Sequence, residues 1–176
     1  KSFYQFGAAR DKGLEDGLSY QKVSQLNAAD FLICTGLADD ETETPETYRQ
    51  ILEEAAALKL PMICANPDLT VMRGEGMHYC AGALAQLYET LGGRVELFGK
   101  PYPWAYKMAM EKLGIDDPSR ILAVGDSMRT DIKGATGAKI DNVLVSGGIH
   151  AEEWGLREGA IPTGHQVDQL IEQHGF

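Results

Sequence analysis

One stretch of sequence decides the fold, and it reads Ile-Leu-Ala-Val-Gly-Asp over residues 121–126. The apolar residues predict a short buried strand that ends at Gly125. Asp126 stands directly beyond the strand, and a second acid, Asp131, follows where a helix is predicted to begin. In an open α/β sheet, ligands bind in the crevice beyond the carboxyl ends of the strands. The two carboxylates therefore predict a site for a hard divalent cation such as Mg²⁺, which prefers oxygen ligands.

A purely structural role for the two acids is the alternative, because an acid in the first turn of a helix is stabilised by the helix dipole. The surrounding sequence bears on this choice. Strand and helix patterns alternate along the chain, which predicts parallel β-α-β units and an α/β fold. Further strands are predicted at residues 2–6, 31–34, 61–65, 95–98 and 142–146.

The C-terminal half supplies only the predicted strands at 95–98, 121–124 and 142–146 to its sheet. A parallel sheet is normally covered on both faces, so this sheet is thin. We expect the remaining strands to come from another polypeptide or from an upstream piece. The chain begins with Lys1 rather than Met, which is consistent with the interior of a longer protein.

Composition excludes several classes of partner. The chain has 26 acidic and 16 basic residues and a net charge of −10, which argues against nucleic acid because phosphate binding needs clustered cations. The sequence contains neither an apolar segment long enough to span a bilayer nor a secretory signal, so no membrane partner is expected. Cys34, Cys64 and Cys80 are predicted to be reduced, which favours the cytoplasm.

Lys100 is the candidate cation of the site. It follows the predicted strand at 95–98 and precedes the Asp126 strand by one helix. In a parallel sheet both residues would emerge at the same edge, so the lysine is predicted to face the two carboxylates and an incoming phosphate. Considered alone, Lys100 is better explained as a surface lysine followed by Pro101.

Together these motifs resemble the haloacid dehalogenase (HAD) superfamily of phosphotransferases. Gly99-Lys100-Pro101 resembles its third motif, and the segment from Gly125-Asp126 to Asp131 resembles its fourth. Residues 130–135 and 142–148 are similar to the class IIA branch of para-nitrophenylphosphatase-like and sugar-phosphatase-like members. The turn at residues 64–68 and the helix start at residues 81–83 resemble the large α/β cap of that branch.

The resemblance implies a cap domain over residues 1–97 and the C-terminal part of a Rossmann-like core over residues 98–176. In such enzymes an aspartate attacks the phosphoryl group, and Mg²⁺ bridges that carboxylate and a phosphate oxygen. The resemblance implies that Asp126 holds the Mg²⁺ and that Asp131 supports the metal shell or orients Lys100. Lys100 would stabilise charge on the nucleophile and on the transferring phosphoryl group.

The resemblance also implies two substrate-binding residues in the cap, Asn66 and Asp68, which would face the leaving group. A plain turn is the alternative for the Asn66-Pro67-Asp68 cluster. Cap-to-cap contact, by analogy with the family, suggests a homodimer.

The chain departs from the family pattern at its first two motifs. The first is an Asp-x-Asp pair that carries the nucleophile, and the second is a Ser or Thr that holds the phosphate; neither is present. Asp39 and Asp40 do not replace the first motif, because four loop residues separate them from the preceding strand and the segment matches the cap.

We therefore expect a fragment of a magnesium-dependent phosphatase that hydrolyses a small phosphorylated metabolite, such as a sugar phosphate or a nucleotide. The fragment is expected to be inactive without the upstream aspartate. The alternative is a non-catalytic metal- or ligand-binding regulatory module derived from such a phosphatase. A dinucleotide-binding domain is disfavoured, because Gly147-Gly148 lacks the required glycine spacing and following helix.

Overall fold

The computed structural model of the chain describes residues 1–74, 76–151, 153–155 and 160–175. It contains two compact units, Lys1–Phe98 and Gly99–Phe176. That the first unit is a cap and the second a part of a catalytic core stays a prediction. Among the described residues, no helix combines the length and the apolar character that crossing a bilayer requires.

Over the described residues 1–74 and 76–98, the first unit consists of a parallel sheet, a separate antiparallel hairpin and two α-helices. Its elements, in chain order, are β1 (Ser2–Phe6), β2 (Gln21–Lys22), β3 (Phe31–Cys34), α1 (Arg49–Ala57), β4 (Met62–Cys64), β5 (Thr70–Arg73), β6 (Gly76–Tyr79), α2 (Ala81–Thr90) and β7 (Val95–Leu97). The strand order of the parallel sheet is β2-β1-β3-β4-β7, and β5 and β6 form the hairpin.

The core of the first unit lies between this sheet and the two helices, which pack against each other. The middle strands carry apolar side chains in register, as at the Leu32–Met62 and Cys34–Cys64 pairs. Tyr88 of α2 is fully buried and donates a hydrogen bond of 2.6 Å to the carbonyl oxygen of Leu60. The helix is thereby tied to the start of β4, because a buried carbonyl needs a donor.

The second unit contains a two-stranded parallel sheet and three α-helices among its described residues. Its elements are α3 (Pro103–Leu113), β8 (Leu122–Gly125), α4 (Lys133–Gly137), β9 (Asp141–Leu144) and α5 (Gly164–His174). One face of the sheet leads to an apolar cluster of Met128, Ile132, Trp154 and Leu170, with Leu144 packed against it. This cluster joins α5 to the loop that follows β8.

The opposite face of the small sheet is apolar and uncovered. Leu122 and Val124 of β8 are 59% and 64% exposed, and Val143 of β9 is 46% exposed. Parallel strands are almost always buried on both faces. The sequence predicted too few strands in this half of the chain, and its described residues form a two-stranded sheet with one exposed apolar face.

The α/β prediction is confirmed, and two details of it are wrong. The strand predicted at 95–98 was assigned to the C-terminal sheet, but β7 pairs with β4 in the first unit. The three residues of β7 pair in register with the three residues of β4. A short strand can pair there because β4 would otherwise be an open edge of the first sheet. The helix predicted from about residue 130 also begins differently, because Met128–Ile132 forms a π-helical turn before α4.

Candidate active site

Asp126 lies at the carboxyl end of β8, beside the end of β9. The strands are held together to their last residues, since the Val145 amide donates to the Gly125 carbonyl at 2.8 Å. The amide of Ile149 donates to Oδ2 of Asp126 at 3.2 Å. This bond requires the chain after β9 to pass close to the carboxylate, and a glycine permits the approach. A Cβ atom at Gly148 would lie only 2.2 Å from the Cβ of Asp126.

Asp131 turns back toward the same strand exit. Its Oδ2 accepts hydrogen bonds from the backbone amides of Asp126, at 3.2 Å, and Ser127, at 3.1 Å. The π-helical turn explains how an acid five positions along the chain returns to these amides. Gly125 leaves room for the carboxylate, because a Cβ atom there would lie 2.2 Å from the Cγ of Asp131.

Lys100 forms an ion pair with Oδ1 of Asp131. The Asp131 side chain is 11% exposed and the Lys100 side chain 51% exposed. The ammonium group therefore lies at the mouth of the site, whereas its partner carboxylate lies inside. The prediction that Lys100 and Asp131 face each other agrees with this geometry.

The route by which Lys100 reaches the site differs from the prediction, because β7 does not share a sheet with β8. Instead, Lys100 precedes α3, and α3 packs on α4. The hydroxyl of Tyr106 donates to the carbonyl oxygen of Asp131 at 3.1 Å. Burial raises the pKa of Tyr106, and the negative charge of Asp131 adds to the rise, so the hydroxyl stays protonated and donating.

A magnesium ion fits the donor set of this site. Asp126 uses Oδ2 for the Ile149 amide, and within the described residues its Oδ1 has no hydrogen-bond partner. Both oxygens of Asp131, in contrast, are already engaged by the Lys100 ammonium and two amides. A hard cation needs carboxylate oxygens with available lone pairs. The geometry thus favours Asp126 as the direct ligand and Asp131 as the residue that holds Lys100 and the loop.

Asn66 and Asp68 lie in the first unit, in the loop after β4. Oδ1 of Asn66 accepts the amide of Asp68 at 3.1 Å, which is an Asx turn. The carbonyl oxygen of Asp68 accepts the Gly82 amide at 3.1 Å and so connects the turn to the start of α2. These contacts are what the plain-turn alternative requires. The substrate-binding role of the two residues stays a prediction.

The sequence analysis missed His150, which is 7% exposed and lies next to the site loop. Its Nε2 accepts the Met128 amide at 3.0 Å, and its Nδ1 pairs with the carboxylate of Glu153. No motif or periodicity marked this histidine. The glycine pair before it was the available signal, since Gly148 permits the close approach to Asp126.

Potential metal-ligand atoms of His150, Glu153 and His174 lie within 4.8 Å of one another. The hydrogen bonds of His150 argue against a metal ion here. Because Nε2 accepts a hydrogen bond from the Met128 amide, the ring proton of the neutral imidazole resides on Nδ1 and points to Glu153. A metal ion needs a lone pair on that same nitrogen.

Comparison with known proteins relates the C-terminal part of the chain to a family. Residues 97–172 match the family model described as HAD-hydrolase-like. A haloacid dehalogenase-like hydrolase from Brucella suis 1330 is 40% identical, with a TM-score of 0.77 over 91% of this chain and 64% of its own.

Residues 97–172 match the HAD-like hydrolase family. Among curated HAD relatives, the ribonucleotide monophosphatase NagD of Escherichia coli K12 is 34% identical over 88 residues, which are 49% of this chain and 34% of NagD. The dihydroxyacetone phosphatase of Corynebacterium glutamicum strain R is 33% identical over 111 residues, which are 62% of this chain and 40% of that protein.

These relatives confirm the class IIA branch that the sequence resembled. The matched part of the chain spans between a third and two fifths of the length of these two curated HAD proteins.

Proposed function

We propose that this chain is part of a magnesium-dependent phosphatase that hydrolyses a small phosphorylated metabolite such as a sugar phosphate or a nucleotide. The observation that carries the proposal is the Lys100–Asp131 ion pair beside Asp126 at the exit of β8. The Lys100 ammonium pairs with Asp131, and Asp131 accepts the backbone amide of Asp126, at the edge of a parallel sheet where α/β folds bind ligands.

The residues act mainly by electrostatics, as expected for phosphoryl transfer. A Mg²⁺ ion bound by Asp126 would neutralise negative charge on the transferring group. The Lys100 ammonium lies at the mouth of the site and can contact the same group. Asp131 holds Lys100 in place: its carboxylate is largely buried, whereas the Lys100 side chain stays half-exposed at the mouth of the site. The acidic chain thus presents positive charge at one point to an anionic substrate.

The names of the relatives support a phosphorylated metabolite as substrate. NagD is a ribonucleotide monophosphatase, and the Corynebacterium relative is a dihydroxyacetone phosphatase. In our proposal Lys1–Phe98 is the cap and Gly99–Phe176 the C-terminal part of the core. Asn66 and Asp68 then contact the leaving group of the substrate.

The phosphoryl acceptor is proposed to lie in the rest of the protein. The acceptor aspartate of the family has no counterpart in these 176 residues. The exposed apolar face formed by Leu122, Val124 and Val143 requires further covering elements. We therefore expect the isolated chain to be inactive and the full-length protein to be active.

The test is hydrolysis of p-nitrophenyl phosphate and a panel of sugar phosphates and nucleotides by the full-length protein, with Mg²⁺ or with EDTA. We expect Mg²⁺-dependent phosphate release that Lys100→Met lowers by about 10²–10³-fold, the typical effect of removing one transition-state contact. Lys107→Met is the matched control, because Lys107 is an exposed lysine of the same unit.

Two results would contradict the proposal. Hydrolysis by the 176-residue chain alone would show that no upstream acceptor is needed. Metal binding by the full-length protein without hydrolysis of any phosphate ester would favour the regulatory module instead.

A further inference from the structure

His150 is a buried histidine that the proposed chemistry does not use. It follows β9 by six residues, and its imidazole lies against the loop that carries Asp126 and Asp131. Its Nε2 accepts the Met128 amide at 3.0 Å, and both groups are buried. A buried amide without an acceptor is unfavourable, so this bond fixes the path of the loop.

The contact is made inside the segment that separates the two carboxylates. Met128 is the first residue of the π-helical turn and lies two positions after Asp126. The neighbouring Ile149 amide binds the Asp126 carboxylate itself. Two consecutive residues after β9 therefore hold the loop, one through the backbone of Met128 and the other through the side chain of Asp126.

The orientation of the imidazole is fixed from the other side. Nδ1 pairs with Glu153, which sets the ring proton on Nδ1 and leaves the lone pair of Nε2 for Met128. The ring of His174, at the end of α5, lies edge-on to His150 with centroids 5.1 Å apart. The Met128 side chain is itself fully buried beside Trp154 and Leu170. These contacts fix the direction in which Nε2 of His150 accepts the hydrogen bond from Met128.

We infer that His150 is a positioning residue for the metal site: by accepting the Met128 amide, it holds the loop so that the Asp126 carboxylate is oriented for a divalent cation. The inference rests on the proposed function, since it assumes that Asp126 binds that cation. Residues outside the ligand set that orient a ligand change metal affinity by about 10–100-fold when they are replaced.

The test compares variants of the full-length protein that differ in the hydrogen-bond acceptor. His150→Gln keeps an acceptor at about the reach of Nε2. His150→Asn places its oxygen near the position of Nδ1, and His150→Leu has no acceptor. His165→Leu is the control, because His165 is an exposed histidine on α5. The dissociation constant for Mn²⁺ is measured by electron paramagnetic resonance, and hydrogen exchange of the Met128 amide by mass spectrometry.

We expect His150→Asn and His150→Leu to weaken Mn²⁺ binding at least about tenfold and to speed exchange at Met128. His150→Gln should restore both values toward those of the wild type, although it lacks the ring. A merely space-filling role would instead make His150→Leu, which fills more space than either amide, milder than His150→Asn. Should the Leu variant fail to fold, hydrogen exchange of the Met128 amide in the Gln and Asn variants still tests the hydrogen bond.

Equal Mn²⁺ affinity in the Asn, Gln and wild-type proteins would overturn the inference while leaving the proposed function intact. Failure of the wild-type protein to bind Mn²⁺ would overturn the metal role of Asp126 and with it the role assigned to His150. Unchanged exchange at Met128 in the Asn variant would show that the His150 contact does not hold the loop.

Discussion

Replacing Gly148 with alanine is expected to disable the metal site without unfolding the protein. The new Cβ atom would lie 2.2 Å from Cβ, 2.7 Å from Cγ and 2.4 Å from Oδ2 of Asp126. Non-bonded carbon atoms are normally about 3.5–4.0 Å apart, so the Asp126 side chain or the loop has to move by more than about 1 Å. The φ angle of Gly148 is not in the left-handed region, so the effect is steric rather than a matter of backbone strain.

The neighbouring glycine provides the matched control. A Cβ atom at Gly147 would meet nothing within 4 Å, so Gly147→Ala is expected to behave like the wild type. Displacing a reacting group by about 1 Å can cost about 10²-fold in rate. Overpacking costs about 1–3 kcal/mol where the surroundings cannot yield. Asp126 is only half-buried, so we expect its side chain to move aside. Metal affinity, rather than stability, should then decrease.

The assay is the Mg²⁺ dependence of p-nitrophenyl phosphate hydrolysis by the full-length protein, with thermal unfolding measured in EDTA. Gly148→Ala should raise the Mg²⁺ concentration for half-maximal activity by about 10–100-fold and leave the metal-free melting temperature close to that of Gly147→Ala. If the two alanine variants had the same Mg²⁺ dependence, the proximity of Gly148 and Asp126 would not control the site, and the reasoning would be refuted.

Three further predictions concern stability. Asp40 is 8% exposed and pairs with Arg10 and Arg73, each at 2.6 Å; the hydrogen bond from Arg10 is the main cause that holds its pKa below the usual range. Because the folded-state pKa is lowered, this stabilisation is present above about pH 4 and is lost as the pH falls further. Asp40→Asn should therefore cost about 1–3 kcal/mol at neutral pH, after allowing for the half-exposed arginines, and flatten the acid limb of a urea-denaturation series; equal acid limbs in both proteins would contradict this. Tyr106→Phe removes the donor to the Asp131 carbonyl and should lower the unfolding free energy by about 0.5–1.5 kcal/mol in the same assay, and no loss would show that the bond is not stabilising. In α4, Gly134→Ala should destabilise the protein by about 1–3 kcal/mol, because the new Cβ would lie 2.3 Å from the Tyr106 hydroxyl. A Cβ at Gly137 would meet nothing within 4 Å, so Gly137→Ala should be neutral or stabilising. Equal melting temperatures of the two variants would refute the distinction.

The sequence predicted those parts of the molecule that depend on local pattern. The apolar run at 121–124 and its glycine stop became β8, and the acids beyond it lie at the strand exit as expected. The facing of Lys100 and Asp131 agrees with the prediction but not with its reason, because the strand that was thought to deliver the lysine pairs with β4.

The parts that the sequence did not predict depend on contacts between distant residues. β7 is short, and pairing with β4 rather than β8 is decided by which sheet has an open edge, which no local pattern records. The π-helical turn goes together with the two hydrogen bonds that Asp131 accepts from backbone amides, and helix propensity does not indicate it. His150 carries no periodic signal, because its role arises from a single hydrogen bond across 22 residues.

The account depends most on Asp126 as the direct ligand of a divalent cation. Isothermal titration of the full-length protein with Mg²⁺ measures this, with Asp168→Asn of the exposed face of α5 as the charge-matched control. We predict that Asp126→Asn abolishes the binding heat, whereas Asp168→Asn binds like the wild type. Wild-type Mg²⁺ affinity in Asp126→Asn would contradict the central claim.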